Sequence, residues 1–262
     1  MGKTIGILSL KGGVGKTSSV VSLGASMADF GKKVLLVDGN LSAPNLGLHL
    51  NIVDPEKTLH HVLMGEANIT EAVINMDNFD VIPASIFSKG KINPLKLRDK
   101  LNYLKKYYDY IIIDSSPSLN EETLASILAS DEVLVVTTPD LPTLSMTVKA
   151  VKVAKQRGTP IIGIIVNKVY DKSFEISLRE VEKTAGVPVM AVIPHDLNVL
   201  RAQSEFEPYT TYSNSRGAEE YKKLAATLLG EKYQKFSLRG FFGMTPSLQE
   251  VNRLSFYKSV FE

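Results

Sequence analysis

Cysteine is absent from this 262-residue chain, which excludes a disulfide framework, a thiolate metal site and a cysteine nucleophile. An excess of one charge is absent as well, because 30 lysine and arginine residues face 28 aspartate and glutamate residues. The formal charge of +2 gives no general field for holding nucleic acid or a membrane surface. Any contact of that kind must therefore be local.

Long apolar runs are missing too. No stretch approaches the roughly 18 to 20 apolar residues that span a bilayer, and the N-terminus is not built like a signal peptide. These absences predict a soluble, cytoplasmic protein. With 44% hydrophobic residues the chain can bury a full core, and its length suits one large α/β domain or two small ones. Because the composition changes after Gly230, we expect one domain over residues 1–230 and a tail over residues 231–262.

Short apolar runs alternate with amphipathic stretches, which is the sequence form of repeated strand–helix–strand units. Several runs are apolar almost throughout, as expected for strands that helices cover on both faces. We therefore predict an α/β fold with a mostly parallel sheet of about seven or eight strands and helices on both faces. The strand candidates are residues 4–10, 33–39, 79–84, 110–116, 132–138, 161–168 and 188–194. The helix candidates include residues 17–30, 93–106, 119–129, 144–156, 174–184 and 216–229.

The glycine-rich stretch SLKGGVGKTSS lies between the first strand candidate and the first helix candidate. Such a turn directs consecutive backbone N–H groups at an anion, at the positive end of a helix, and is therefore suited to hold phosphate. Gly12, Gly13 and Gly15 permit the close approach of the backbone. Lys16 is expected to reach the β- and γ-phosphates of a nucleotide, and the Thr17 hydroxyl to bind Mg²⁺.

This loop carries a second lysine, Lys11, that the standard pattern G-x-x-x-x-G-K-[ST] does not require. Gly15, Lys16 and Thr17 match the end of the pattern, but Leu10 stands where its first glycine belongs. Lys11 comes too early to share the role of Lys16, and we expect it to point out of its own loop. A cation that faces outward beside a triphosphate can serve the phosphate of a second subunit, as an arginine finger does.

The motif KGGVGKT is followed in order by VLLVDGNLSAPNLGLHL, DYIIIDSSPS, VNK and VIPHDLNVLRAQSEFEPY. This series, spanning about residues 3–230, resembles the deviant Walker A P-loop ATPases of the MinD/ParA class, relatives of the nitrogenase iron protein, and is nearest to the MinD pattern. The resemblance implies a P-loop NTPase fold with ATP or ADP and Mg²⁺ as cofactors. It also implies a homodimer through ATP, in which Lys11 reaches the phosphates of the second subunit. Val14 and Ser18 would belong to the same nucleotide-binding loop.

Two polar residues close strand candidates at positions that suit a nucleotide site. Asp114 ends the run YIIID, and a carboxylate beside a phosphate-binding loop can hold Mg²⁺ through water. Asn167 follows the run IIGIIV, and its amide offers both a donor and an acceptor to a purine edge. The resemblance assigns recognition of the base to Asn167, Lys168, Pro194, His195 and Asp196.

The residues after this asparagine favour adenine over guanine. Guanine-specific P-loop proteins usually carry an N-K-x-D tetrad. In this chain Asn167 and Lys168 are followed by Val169 and Tyr170, and Asp171 comes one position late. We therefore predict ATP as the nucleotide, with GTP as the open alternative.

The stretch VDGN departs from the family pattern, in which D-x-D is common and the second acid manages the attacking water. Asp38 occupies the first place, and Asn40 the second. Asparagine can hydrogen-bond a water but cannot take its proton, so we expect slow hydrolysis. Asp38 either compensates as a catalytic carboxylate or acts on the Mg²⁺ that Thr17 and Asp114 hold. Three interpretations stay open: a natural slow switch, a nucleotide-binding protein with little hydrolysis, and a sequence altered to trap ATP.

The four histidines carry no predicted catalytic or zinc role. His60 and His61 are adjacent on a predicted helix and cannot share a face. His49 and His195 are expected in loops, without acidic or histidine partners at ligand spacing. His195 is expected only to line the nucleotide pocket.

The tail over residues 231–262 is amphipathic, with an aromatic segment before a helix candidate that Pro246 opens. Its five lysine and arginine residues minus three acidic residues give a net charge of +2. MinD proteins carry a C-terminal amphipathic segment that targets the membrane, so the resemblance implies a membrane contact through this tail. A tail packed on its own domain, on a second subunit or on a partner is an equal alternative.

Taken together, these features predict an ATP-binding switch that forms an ATP-dependent sandwich dimer, recruits or positions a regulatory or cargo protein, and resets by slow hydrolysis. We expect it in the cytoplasm and peripherally on the inner face of the cell membrane. One alternative is a ParA-like DNA-partitioning ATPase, which the near-neutral charge and the tail disfavour. Another is a nucleotide-dependent scaffold with little hydrolysis, which Asn40 supports.

Overall fold

The structure is a computed structural model that describes residues 2–88, 90 and 92–233. Its strands are β1 Lys3–Leu8, β2 Val34–Gly39, β3 Ile74–Asn75, β4 Asp80–Ile82, β5 Tyr110–Ser115, β6 Glu132–Thr137, β7 Ile161–Val169 and β8 Val189–Pro194. They form a sheet in the order β3-β4-β2-β5-β1-β6-β7-β8. All neighbouring strands are parallel except β3 and β4, which are antiparallel.

Helices cover both faces of this sheet. They are α1 Lys16–Asp29, α2 Leu46–His49, α3 Leu59–Met64, α4 Leu97–Leu104, α5 Glu121–Ala129, α6 Leu141–Gln156, α7 Leu178–Ala185, α8 Asn198–Ser204, α9 Tyr209–Tyr212 and α10 Arg216–Leu229, with 3₁₀ turns at Ile69–Ala72 and Pro94–Lys96. Helices α1 and α10, with α2, α8 and α9, pack in the core on one face. Helices α3 to α7 pack on the other face.

The central strands are buried on both faces because successive side chains point to opposite sides of the sheet. In β2, Val34 and Leu36 belong to the core beneath α1, whereas Leu35 and Val37 belong to the core beneath α4. All four are buried. Parallel strands buried in this way direct their carboxyl ends to one edge, where the connecting loops gather.

The predicted fold class is confirmed, and each of the seven strand candidates overlaps an observed strand. The eighth strand, β3, was missed because it is only two residues long and lies at the antiparallel edge of the sheet. A strand of that length leaves no recognisable alternation of apolar and polar residues.

Two helix predictions begin four residues before the observed α-helices, and α6 begins at Leu141, three residues before its predicted start. The candidate over 93–106 begins as a 3₁₀ turn, since the Asn93 side chain accepts a hydrogen bond from the Leu95 N–H, before α4 runs to Leu104. The candidate over 174–184 begins only at Leu178, because the Ser177 side chain accepts a hydrogen bond from the Glu180 N–H and caps α7 there.

The placement of His49 in a loop was wrong, because His49 is the last residue of the short helix α2. His60 and His61 lie in α3, and His195 follows β8, as expected. Among the described residues, no helix combines the length and the apolar character needed to cross a membrane.

The described chain continues three residues past Gly230, which ends α10 with a φ of +69°. Tyr233 packs edge-on against Phe30 and donates a hydrogen bond of 2.6 Å to Glu219. Glu231 forms a salt bridge of 3.3 Å with Lys32. The start of the predicted tail is therefore attached to the domain. The aromatic segment and the helix candidate after Pro246 lie outside the described residues.

Candidate functional site

The glycine-rich loop connects the end of β1 to the start of α1 at the carboxyl edge of the sheet. Gly13 and Gly15 adopt φ angles of +78° and +90°, a region that favours glycine. Within the described chain no side chain caps α1, and its first turn contains no acidic residue. The positive end of this helix is therefore left for an external anion.

Lys16 and Thr17, the first two residues of α1, both contact Asp114 at the end of β5. The Lys16 Nζ donates to Asp114 Oδ1 at 2.7 Å, and the Thr17 hydroxyl donates to Asp114 Oδ2 at 2.6 Å. They meet because β1 and β5 are parallel neighbours, so the loop after β1 lies over the end of β5. The buried ammonium and the buried carboxylate neutralise each other.

Asp38 lies opposite Asp114 on the neighbouring strand β2 and is fully buried. Its carboxylate accepts backbone N–H bonds from Asn40 at 3.1 Å, Asn45 at 3.1 Å and Leu46 at 3.0 Å. Burial, and then the Asp114 carboxylate, raises the pKa of Asp38 to about 7, although the backbone donors act in the opposite direction. Asp38 thus fixes the loop between β2 and α2. Its roles in catalysis and at a metal stay predictions.

Asn40 begins this loop and is only 3% exposed. Its Nδ2 donates to the Ala43 carbonyl oxygen, whereas its Oδ1 has no hydrogen-bond partner among the described residues. A buried amide oxygen without a partner has a full desolvation cost, so it requires an explanation such as a water or ligand donor. The site therefore offers an acceptor at this position without a carboxylate that could become protonated.

Side chains at the end of β7 donate hydrogen bonds to the glycine-rich loop from the other side. The Asn167 Nδ2 donates to the Val14 carbonyl oxygen at 2.8 Å, and the Lys168 Nζ donates to the Gly13 carbonyl oxygen at 2.7 Å. Lys168 adopts a left-handed φ of +58°, which is uncommon for a residue other than glycine. A Cβ atom at Gly15 would lie 2.2 Å from the Asn167 Nδ2, so only glycine fits there. Asn167 keeps a second N–H and its Oδ1 for a ligand.

A cavity of about 380 Å³ opens over these loops. Of the predicted site residues, only Asp38 and Asp114 do not line it, because both lie fully buried below. The predicted residues that line it are Lys11, Gly12, Gly13, Val14, Gly15, Lys16, Thr17, Ser18, Asn40, Asn167, Lys168, Pro194, His195 and Asp196. The fold thus brings the predicted residues from five separate segments to one place.

The segment after β8 forms the other end of the cavity. The His195 ring stacks on Tyr170, with a centroid distance of 4.5 Å and an interplanar angle of 22°. The Asp196 carboxylate accepts hydrogen bonds from the Tyr209 hydroxyl at 2.6 Å and the Asn198 N–H at 2.8 Å. Burial raises the pKa of Asp196, but hydrogen bonds from Ser215, Tyr209 and Asn198 outweigh it and hold the pKa below its usual range.

Several lining residues were missed from the sequence: Asn45, His49, Pro117, Tyr209 and Tyr221. Asn45 and His49 lie within the motif VLLVDGNLSAPNLGLHL, so that motif could have indicated them. Tyr221 carries no such signal, because its hydroxyl hydrogen-bonds Ser19 at 2.7 Å across 202 positions of the chain. Only the packing of α10 against α1 brings the two together.

These residues fit a nucleotide polyphosphate with Mg²⁺. The uncapped start of α1 and the Lys16 ammonium suit phosphate oxygens, and the Thr17 hydroxyl and the Asp114 carboxylate supply the oxygen ligands that Mg²⁺ prefers. In the described part of the chain, no group of three or more histidine, aspartate or glutamate side chains could hold a metal ion without such additional ligands.

Comparison with known proteins gives consistent matches. A family described as "AAA domain" matches residues 2–157. An uncharacterised ATP-binding protein of Methanocaldococcus jannaschii is 35% identical over 240 residues, 89% of this chain and 90% of that protein. The septum site-determining protein MinD of Thermotoga maritima is 30% identical over 88% of this chain and 89% of its own. The sporulation initiation inhibitor protein Soj of Bacillus subtilis is 33% identical over 86% of this chain and 97% of its own.

Solved structures agree. The cell division ATPase MinD of Pyrococcus furiosus has a TM-score of 0.84 and 36% identity, covering 88% of this chain and 99% of that structure. The septum site-determining protein MinD of Pyrococcus horikoshii, solved with Mg-ADP, has a TM-score of 0.83 and 33% identity, covering 87% of this chain and 96% of its own. Both matches extend over most of the described fold.

Proposed function

Because this chain belongs to the MinD/ParA family of P-loop ATPases, we propose that it is an ATP-driven switch. Two copies join face to face when Mg-ATP binds, and the dimer presents a surface to a regulatory or cargo protein. Slow hydrolysis to ADP and phosphate then separates the copies. The observation that carries the proposal is the cavity that the glycine-rich loop, Asn40 and Asn167 share, with Asp114 directly beneath it.

ATP and ADP with Mg²⁺ are the cofactors used by the family, and the relative from P. horikoshii was solved with Mg-ADP. In this chain the backbone N–H groups of the loop and the Lys16 ammonium would hold phosphate oxygens. Thr17 and Asp114 would hold Mg²⁺. Bound Mg-ATP supplies the phosphoryl group and a charge-neutralising cation. Asn167 and Lys168 stabilise the loop conformation by donating hydrogen bonds to its carbonyl oxygens.

Exposed side chains around the cavity support the face-to-face dimer. Lys11 is exposed, and its ammonium forms no hydrogen bond or salt bridge with the described residues. Leu141 and Phe174 are 69% and 78% exposed, and Leu119 is 45% exposed. They follow β6, β7 and β5, so they lie at the same edge of the sheet as the nucleotide loop. Exposed apolar side chains at the edge that carries the nucleotide loop suit an interaction surface.

Restoring a carboxylate at position 40 should raise the rate of hydrolysis. We expect Asn40→Asp to increase the turnover of saturating Mg-ATP by about tenfold or more, because a positioned general base contributes about 10²- to 10⁴-fold. ATP affinity should change by less than about threefold, since the added base acts after binding. Asn40→Ala is the matched control and should lower turnover. Unchanged turnover in Asn40→Asp would show that another group limits hydrolysis.

The tail should convert the dimer into a membrane switch. One tail binds a surface weakly, but two tails on one dimer act together and gain avidity. A chain truncated after Tyr233 keeps the contacts with Phe30 and Glu219, so we expect it to bind ATP normally. It should lose the ATP-dependent co-sedimentation with anionic vesicles that the full chain shows, and Phe241→Glu should lose it too. No sedimentation of the full chain with ATP, or a lower melting temperature after truncation, would favour a tail packed on protein.

A second candidate function is DNA partitioning, which the relative named Soj favours; another relative, from Treponema pallidum, is named a chromosome-partitioning ATPase. One experiment separates the candidates: turnover of saturating Mg-ATP measured alone, with anionic vesicles and with duplex DNA. Stimulation or co-sedimentation with vesicles supports the membrane switch. An effect of DNA alone supports partitioning, and stable ATP binding without turnover under any condition supports a scaffold.

A further inference from the structure

We propose that Glu122 is a positioning residue, which holds the loop carrying Asn40 in place for hydrolysis through its contact with Ser42. The Ser42 hydroxyl donates a hydrogen bond to Glu122 Oε1. Ser42 lies in the loop after β2, and Glu122 lies in the first turn of α5, which follows the strand that carries Asp114. We call this contact the Glu122–Ser42 latch. The inference rests on the ATP turnover proposed above.

The burial of the Glu122 carboxylate has a desolvation cost, and few contacts offset it. Glu122 is only 8% exposed, and its Oε2 has no hydrogen-bond partner in the described part of the chain. No described lysine or arginine forms a salt bridge with it. Burial lowers the pKa of the nearby His60, although the charge of Glu122 acts in the opposite direction. A buried carboxylate satisfied on one side costs stability.

A glycine at the end of β2 permits this contact. Gly39, the last residue of β2, lies against the side chain of Ser126 in α5. A Cβ atom at Gly39 would lie 2.9 Å from the Ser126 Oγ and 2.9 Å from the Ile113 Cγ2. Without that atom, α5 packs closely against the end of β2, and its first turn reaches the loop that begins at Asn40.

The latch connects the loop after β2 to the first turn of α5. On one side, Asp38 holds the backbone of the loop at Asn40, Asn45 and Leu46. Ser42 lies between these points and is exposed to solvent. Among the described residues, Glu122 is the only side chain that forms a hydrogen bond with it. Misplacement of a reacting or positioning group by about 1 Å can cost on the order of 10²-fold in rate. Loss of the latch should therefore affect hydrolysis more than binding.

The kinetic test compares four variants and one control variant, all in the full chain. Glu122→Ala and Ser42→Ala should each lower the kcat for Mg-ATP by about tenfold, with KM within about twofold. The double variant should be no slower than Glu122→Ala, because both changes remove the same contact. Glu122→Gln keeps an oxygen that accepts from Ser42 and should retain kcat within about threefold. Glu121→Ala, which removes the exposed neighbouring charge, is the matched control and should behave as the unaltered chain.

A second measurement needs no turnover. Hydrogen exchange of the nucleotide-free protein should be faster at the Asn45 and Leu46 amides in Glu122→Ala than in Glu121→Ala. A chain that binds ATP but does not hydrolyse it would refute the proposed enzyme, and the exchange result would then decide on the latch. Equal exchange in the two variants, or a lower melting temperature of Glu122→Ala with kcat and exchange unchanged, would overturn the latch.

Discussion

Replacing Lys16 by alanine should lower the affinity for ATP by about 100-fold, because a charge-assisted hydrogen bond contributes about 1.5 to 3 kcal/mol and tenfold in affinity corresponds to about 1.4 kcal/mol. Lys16 is the buried cation of the cavity and comes directly after Gly15 at the uncapped start of α1. No other described lysine is both buried and on the cavity wall. Equilibrium titration with a fluorescent ATP analogue and Mg²⁺ measures the loss.

The variant must be shown to fold, since removal of Lys16 leaves the buried carboxylate of Asp114 without its cation. Lys16→Gln keeps a donor for Asp114 without the charge and serves as the second variant. Both should show the melting cooperativity of the unaltered chain and both should bind ATP weakly. Normal ATP affinity in a folded Lys16→Gln protein would contradict the assignment of this lysine to the phosphates.

Replacing Lys11 by alanine should abolish the ATP-induced dimer and leave ATP bound to the monomer. The exposed Lys11 side chain forms no salt bridge in the described chain and interacts with Asp140 only through its charge, so its loss should leave the hydrogen bonds of the loop intact. In the proposed dimer its ammonium would contact the phosphates of the second copy, and truncating one partner of a buried charge pair costs about 2 to 5 kcal/mol. Light scattering with Mg-ATP should therefore report only monomer at concentrations where the unaltered chain is dimeric.

Lys172→Ala is the matched control for this prediction. Lys172 is also exposed and follows β7 at the same edge of the sheet, but it does not line the cavity. Its replacement should leave the dimer intact. If Lys11→Ala still forms a dimer with Mg-ATP, or if it loses ATP binding as Lys16→Ala does, the two lysines do not have separate roles.

Most of the sheet could be predicted because its strands are long, apolar and separated by clear helix patterns. The prediction failed where local chemistry leaves little pattern: β3 has two residues, and α2 and α9 have four each. Helices this short lack a full apolar face, so periodicity does not reveal them. The late start of α7 depends on one capping serine, Ser177.

The candidate site was predictable where residues act within a local motif, as in the loop from Lys11 to Ser18. It was not predictable where distant segments meet. The sequence suggested that Asp38 acts at a metal or in catalysis, but the structure adds that three backbone N–H groups surround its carboxylate. The contacts of Lys168 with Gly13 and of Tyr221 with Ser19 each span more than 150 positions. Such contacts depend on strand order, which no single motif encodes.

If Lys16 binds phosphate and Asp114 binds the metal ion, as proposed, their pairing makes the nucleotide and the metal ion thermodynamically coupled ligands. A phosphate that draws Lys16 away leaves Asp114 uncompensated, and a cation that engages Asp114 releases Lys16 for phosphate. Each ligand thus removes a penalty that the other would face alone, so each raises the affinity for the other by the same factor. Orthophosphate or Mg²⁺ alone would have to break the pair without that compensation. In the proposed site, the Lys16–Asp114 salt bridge would therefore favour a metal-bound polyphosphate over either component alone.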